Sequence, residues 1–89
     1  MRTAVSSSRL RTLLDQHEAA LETVKTTGKA WHKYATALEK RLGRERRHQS
    51  DAEGRKSLQL MEAHIGADEQ VTEIREQLRA AGYTASFAD

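Results

Sequence analysis

Histidine and carboxylate side chains are the groups of this chain that could bind a metal ion, since it contains no cysteine. Two histidines four residues apart on one helix face would form a metal-binding pair, and no two histidines here have that spacing. Glu45 and His48 have the Glu-x-x-His spacing of carboxylate-bridged iron sites, but two arginines between them put positive charge beside any metal. The sequence therefore predicts neither a metal nor another cofactor. The histidines are His17, His32, His48 and His64.

Patterns typical of catalysis are missing as well. The five glycines are scattered and form no phosphate-binding loop. The lack of cysteine removes a thiolate nucleophile, and no spacing indicates a serine nucleophile with its base. We therefore expect a protein that is not an enzyme.

Basic side chains are concentrated in residues 40–56, which we call the basic tip. Residues 1–56 hold thirteen Lys/Arg against seven Asp/Glu, whereas residues 57–89 hold two against six. Arginine binds phosphate oxygens bidentately, so a nucleic-acid or anionic-surface binder is the alternative function. No aromatic residue between 35 and 82 is present to stack on bases, which favours a solvated turn instead. The candidate anion-binding residues are Lys40, Arg41, Arg44, Arg46, Arg47 and Arg55.

The elements that carry these groups are predicted to be helices. The chain has no proline, 4% aromatic residues and 31% charged residues, which suits helices with narrow apolar stripes. One stripe alternates spacings of four and three residues, the pattern of a helix that packs along a second helix. We therefore expect a first helix over about 8–42. The stripe is Leu10, Leu14, His17, Leu21, Val24, Gly28, Trp31, Ala35, Leu38 and Leu42.

A capping signal predicts the second helix. Ser50 and Glu53 have the Ser-x-x-Glu form of a capping box, so the helix is expected over about 51–81 after a basic turn at 43–50. Gly43 is expected to end the first helix. The six-residue step from Ile65 to Val71 leaves open a kink near residue 66, and residues 82–89 are expected to form a loose tail.

The predicted fold class is all-α, a single domain over 1–89 in which the helices form an antiparallel hairpin with a coiled-coil-like seam. A second apolar stripe stays uncovered in this arrangement, which favours dimerisation into a four-helix bundle. An extended dimer with a hinge at 44–50 is the competing arrangement. The second stripe is Leu13, Ala20, Thr27 and Tyr34. The predicted pairs are Leu38 with Leu58, Trp31 with Ile65, Val24 with Val71, Leu21 with Ile74, and Leu14 with Ala81.

These features favour a protein–protein interaction module that acts through self-association and partner binding, as an adaptor, assembly factor or regulator. Gly28 is expected to accommodate Trp31 of a second chain. The N-terminal residues lack the apolar core of a signal peptide, and no segment has the ~20 apolar residues of a membrane span, so we expect a cytoplasmic protein. The predicted interface residues are Leu21, Val24, Gly28, Trp31, Tyr34, Ala35 and Leu38.

Overall fold

Two long helices form the part of the chain that the structure, a computed structural model, describes, which is residues 7–83. Helix α1 spans Ser7–Glu45 and helix α2 spans Asp51–Ala80. They pack against each other in opposite directions in a body of 68 × 20 × 17 Å. No β-strand occurs within residues 7–83, and the all-α hairpin predicted from the sequence is confirmed.

The turn between the helices is shorter than the basic turn predicted at 43–50. Helix α1 continues through Gly43 and ends at Glu45. Arg46 adopts a φ of 51°, so the left-handed residue that follows α1 is Arg46, three positions after the predicted helix end at Gly43. The Arg47 backbone N–H then donates to the carbonyl oxygen of Leu42 at 3.2 Å, which satisfies one of the last helical carbonyl groups.

Helix α2 begins with the predicted capping box, which is confirmed. The Glu53 backbone N–H donates to Ser50 Oγ at 3.2 Å, and the Ser50 backbone N–H donates to Glu53 Oε1 at 2.9 Å. At the other end Gly82 has a φ of 88°, and the Tyr83 N–H donates to the Leu78 carbonyl oxygen at 2.9 Å. These contacts satisfy backbone groups at both ends of α2. The predicted tail lies outside the described residues from 84 onwards.

Helix α2 is continuous through Gly66. The six-residue step from Ile65 to Val71 is not a break in the inward column, because Ile65 is 46% exposed and does not face α1. Ala67 takes the inward position instead, at 7% exposure. The inward positions then alternate spacings of three and four along the whole helix, with Gly54, Met61 and Arg75 half-buried beside them. The inward α2 positions are Glu53, Ser57, Leu60, His64, Ala67, Val71, Ile74, Leu78 and the following Ala81.

The inward positions of α1 have the same spacing, but only half of the residues in the predicted stripe are among them. They are Leu10, Leu13, His17, Ala20, Val24, Thr27, Trp31, Tyr34 and Leu38. We call the two sets of inward positions together the seam. The predicted Leu21 and Ala35 are exposed, whereas Leu13 and Ala20, assigned above to an uncovered stripe, are 3% and 8% exposed. That part of the prediction is wrong because the seam takes the neighbouring column of α1.

The predicted pairing of the helices is also displaced, by about one helical turn. Thr27 contacts His64 and His17 contacts Arg75, whereas the prediction placed Trp31 opposite Ile65. Leu58, predicted to meet Leu38, is 49% exposed. The best-packed part of the seam lies toward the open end of the hairpin, where Tyr83 also packs against it. This core cluster is Leu13, Ala20, Val71, Ile74 and Leu78.

Candidate functional site

A polar cluster lies in the middle of the hairpin. His64 Nδ1 is 3.1 Å from Thr27 Oγ1, and the centroid of the His64 ring is 5.9 Å from that of Trp31. The Thr27 hydroxyl also lies 2.8 Å from the Thr23 carbonyl oxygen and 3.1 Å from that of Val24. When the hydroxyl donates to either carbonyl, its oxygen accepts a hydrogen bond from the Nδ1–H tautomer of His64. This contact fixes the imidazole between the helices.

Gly28 makes room for that imidazole. A Cβ atom built on Gly28 would be 3.1 Å from His64 Cε1 and 3.5 Å from His64 Nδ1. The space assigned by sequence to Trp31 of a second chain is therefore occupied by His64 of the same chain. Trp31 itself is half-buried beside His64.

A second polar contact crosses the seam between His17 and Arg75. Arg75 Nε–H donates to His17 Nε2 at 3.1 Å, which requires an unprotonated Nε2. Burial, and secondly the positive charge of Arg75, lower the pKa of His17 below its usual 6.5. The neutral imidazole is the form that fits this seam.

One flank of the hairpin carries an apolar surface, which we call the side face. Gly28 faces His64, so the α1 column containing Leu21, Gly28 and Ala35 lies on the His64 flank of the seam. On α2, the i, i+3, i+7 spacing of Leu58, Met61 and Ile65 places these side chains outward from His64 on the same flank. The side face is Leu21, Gly28, Ala35, Leu58, Met61 and Ile65, with Trp31 at its base.

The side face contains some predicted interface residues and not others. Leu21, Gly28, Trp31 and Ala35 belong to it, whereas Leu38 is 6% exposed within the seam. Val24 packs against the core cluster. The structure thus separates residues that hold the two helices together from residues on the flank.

Tyr34, also predicted as an interface residue, is used within the hairpin. Its hydroxyl donates to the Glu53 carbonyl oxygen at 3.4 Å, and Lys56 Nζ lies 6.0 Å from its ring centroid. Sequence reasoning missed the α2 contribution of Leu58, Met61 and Ile65 to the side face. Their helical spacing is the available signal, but the predicted pairing places Leu58 and Ile65 in the seam.

Ion pairs within the chain occupy part of the basic tip. Arg47 donates to both carboxylate oxygens of Glu53, at 2.7 and 3.0 Å, and its Nε–H donates to Glu45. Arg41 approaches Glu53 at 3.4 Å. The Arg47 side chain, followed by the Ser50 backbone N–H, lowers the pKa of Glu53 to about 2, and both carboxylates raise the pKa of Arg47. The capping box and this ion pair share one carboxylate.

The other cations of the basic tip remain exposed. Within residues 7–83, Lys40, Arg44, Arg46 and Arg55 make no ion pair. Lys40 and Arg44 lie one helical turn apart and line a shallow groove with Arg41. This groove is the part of the predicted anion-binding set that the structure brings together, whereas Arg47 is held by carboxylates.

Acidic residues form a zone nearer the open end of the hairpin, which we call the acidic belt. Residues 15–22 of α1 and 68–76 of α2 hold seven exposed carboxylates and one cation, Arg75. The contacts Thr27–His64 and His17–Arg75 place these two segments at the same level. The hairpin therefore has an electric asymmetry along its length. The acidic belt is Asp15, Glu18, Glu22, Asp68, Glu69, Glu73 and Glu76.

Neither α1 nor α2 contains a stretch long and apolar enough to cross a membrane. Within residues 7–83, no three histidine or carboxylate side chains come together in a way that could hold a metal ion. Comparison of the chain with known protein families, with curated proteins and with solved structures finds no match.

Proposed function

We propose that this chain is a small non-enzymatic interaction module that acts through self-association and protein binding, with the side face as its contact surface. The observation that carries this proposal is three large aliphatic side chains exposed on one flank. Leu21, Leu58 and Ile65 are 40%, 49% and 46% exposed. An apolar patch on a small helical protein is typical of a surface that another protein covers.

The thinness of the hairpin supports this function. The seam is a single row of side chains between two helices, and three of its seven buried members are alanine or valine. Small folds of this kind commonly gain stability by association. Covering the exposed parts of the three aliphatic side chains would contribute roughly 2–4 kcal/mol per copy.

Sedimentation equilibrium on the purified chain tests the proposal. We expect an assembly larger than the 10.0 kDa monomer, with a strongly helical circular dichroism spectrum. Leu58→Gln and Ile65→Gln should shift the assembly toward monomer, because a polar side chain is then desolvated in the interface. Each residue is already about half exposed, so the hairpin itself should keep its helicity.

A matched control uses the opposite flank. Ala30→Gln and Ala63→Gln change exposed positions away from the side face and should leave the association constant unchanged. A native chain that is helical and monomeric at high concentration would contradict the proposal. Equal weakening by both pairs of variants would contradict the assignment of the side face.

Binding of an anionic partner is a second candidate function, favoured by the groove that Lys40, Arg41 and Arg44 line. Lys40 and Arg44 are cations without an ion pair among the described residues, on adjacent turns of one helix. Mobility shift on unrelated duplex DNA and RNA at low and moderate salt tests it. Phosphate contacts of this type weaken steeply as salt rises. Lys40→Gln with Arg44→Gln should abolish the shift and Lys29→Gln should not.

A further inference from the structure

We propose that the side face binds a second copy of this chain in the antiparallel orientation, so that Arg55 in the basic tip of each copy lies level with Asp68 in the acidic belt of the other. This inference rests on the proposed function and specifies its partner and geometry. It requires one two-fold axis that crosses the side face beside Met61 on α2 and between Gly28 and Trp31 on α1.

The apolar residues of α2 indicate where the axis crosses. Leu58 and Ile65 are two helical turns apart with Met61 between them, and both are about half exposed. An axis midway between them places Leu58 of one copy against Ile65 of the other, twice by symmetry. The two largest exposed aliphatic side chains of α2 then cover each other.

The same axis matches α1 without adjustment. Thr27 lies beside His64, so the α1 residues level with Met61 are Lys29 and Ala30. An axis there places Gly28 of one copy level with Trp31 of the other. His64 fills the space over Gly28 from its own chain, so Trp31 of the second copy would contact the flank of the His64 ring.

Charge selects the antiparallel orientation. Arg55 and Asp68 lie equally far from the axis on α2, so Arg55 of one copy meets Asp68 of the other. At these two symmetric places a cation of the basic tip is thereby opposed to a carboxylate of the acidic belt.

The parallel orientation lacks this complementarity. An axis along the length of the hairpin brings the two basic tips together and the two acidic belts together. Like charges at these distances repel, and the cost is greatest at low salt. In the parallel dimer, Leu58 of one copy also lies level with Lys33 of the second copy, whereas in the antiparallel dimer it lies level with Ile65.

The size of the flank suits a stable dimer. The axis crosses α1 about one turn from the middle of Ser7–Glu45, so the two copies overlap along nearly all of their length. The body is 68 Å long and 17–20 Å wide. This flank exceeds the ~800 Å² per partner that a standard interface buries.

Site-specific crosslinking of the full chain tests the orientation, since the chain has no native cysteine. Leu58→Cys and Ile65→Cys are purified separately, refolded together and treated with a short bis-maleimide. We expect a crosslinked dimer that contains one copy of each variant. Either variant alone should crosslink at least about fivefold less, because the same residue in the two copies is then separated by about two turns along the length of α2. Ala63→Cys, on the opposite flank, is the control and should not crosslink.

Charge exchange gives an independent readout. Arg55→Glu should weaken dimerisation about tenfold, because it sets two carboxylates against each other at two symmetric places. Arg55→Glu combined with Asp68→Arg should restore most of the affinity. Both effects should shrink as salt rises.

The outcomes separate this inference from the proposed function. A native assembly in which the mixed pair does not crosslink, or in which the charge exchange restores nothing, overturns the antiparallel contact and leaves self-association standing. A native chain that stays monomeric overturns both.

Discussion

His64 lies directly over Gly28, with its Cε1 atom 3.1 Å from where a Cβ atom on that residue would stand. Glycine in the middle of a helix costs about 1 kcal/mol relative to alanine. The close approach of the imidazole offsets that cost, because the ring also bonds Thr27 and lies beside Trp31. This contact gives the central glycine a role within one chain.

Gly28→Leu is therefore expected to destabilise the hairpin, since the leucine side chain must displace His64. The loss should be about 1–3 kcal/mol, the usual range for overpacking. His64→Ala in the same background should recover part of it, and the double-mutant cycle should give a coupling of at least about 1 kcal/mol in urea unfolding. Additive effects of the two substitutions would contradict the contact.

Gly66 is the matched control for the same experiment. It is exposed in the middle of α2, and a Cβ there would meet nothing within 4 Å. Gly66→Ala should stabilise the protein by about 1 kcal/mol through helix propensity alone. Gly28→Ala should gain clearly less. An equal gain at both glycines would show that His64 moves aside freely.

The helices and the capping box could be predicted from sequence, because both depend on local spacing and on residues three to four positions apart. The choice of seam could not be predicted from α1 alone. Between Leu10 and His17, either Leu13 or Leu14 could be the inward residue, because both fit the alternating spacing. The helix columns that contain these two leucines both continue with apolar residues. The choice requires α2, where Val71, Ile74 and Leu78 define the inward column.

Pairing of the helices was harder to predict than their existence. The sequence places Leu58 and Ile65 in the seam because, in an antiparallel hairpin, they pair with Leu38 and Trp31 at a constant offset. The structure instead places Ser57, Leu60 and His64 inward. Apolar spacing alone is a poor guide to the pairing in a hairpin whose seam includes polar side chains that bond each other.

Arg47 is expected to differ from its neighbours in the basic tip, although the sequence indicated that all of them merely solvate a turn. Arg47→Gln removes the bidentate pair with Glu53 and should lower the melting temperature by a few degrees. Arg44→Gln should leave it within about one degree. Thermal unfolding followed by circular dichroism measures both, and equal effects would show that the Arg47 pair contributes nothing.

Glu53 should make the hairpin sensitive to strong acid. Its pKa is about 2 in the folded chain against a usual 4.5, so the stability from its ionised form is complete above pH 4.5 and is lost as pH falls toward 2. Glu53→Gln should be less stable than the native chain at pH 7 and should lose less between pH 4.5 and 2. Glu62→Gln, at an exposed site, is the control and should keep the native acid profile.

His17 should produce a separate dependence at milder pH. Its folded-state pKa lies below 6.5, so the unfolded chain binds the proton more readily. Stability is complete above about pH 6.5 and decreases as pH falls toward the folded-state pKa. His17→Leu should reduce the change in the urea midpoint between pH 7.5 and 5.5. His32→Gln, at an exposed site, should leave that pH dependence unchanged. A midpoint that rises as the native chain is acidified through this range would contradict the neutral His17.

The position of the core cluster has a consequence for the order in which the hairpin forms. Leu13 and Leu78 lie near opposite ends of the described chain, whereas Tyr34, Arg41 and Arg47 reach Glu53 across a short turn. Closing a short loop costs less chain entropy than closing a long one. We expect the turn to close first and the helices to zip toward the termini, so that the best-packed residues join last. The contacts near the turn, which form first, are then weaker than those of the core cluster, which form last and stabilise the folded hairpin.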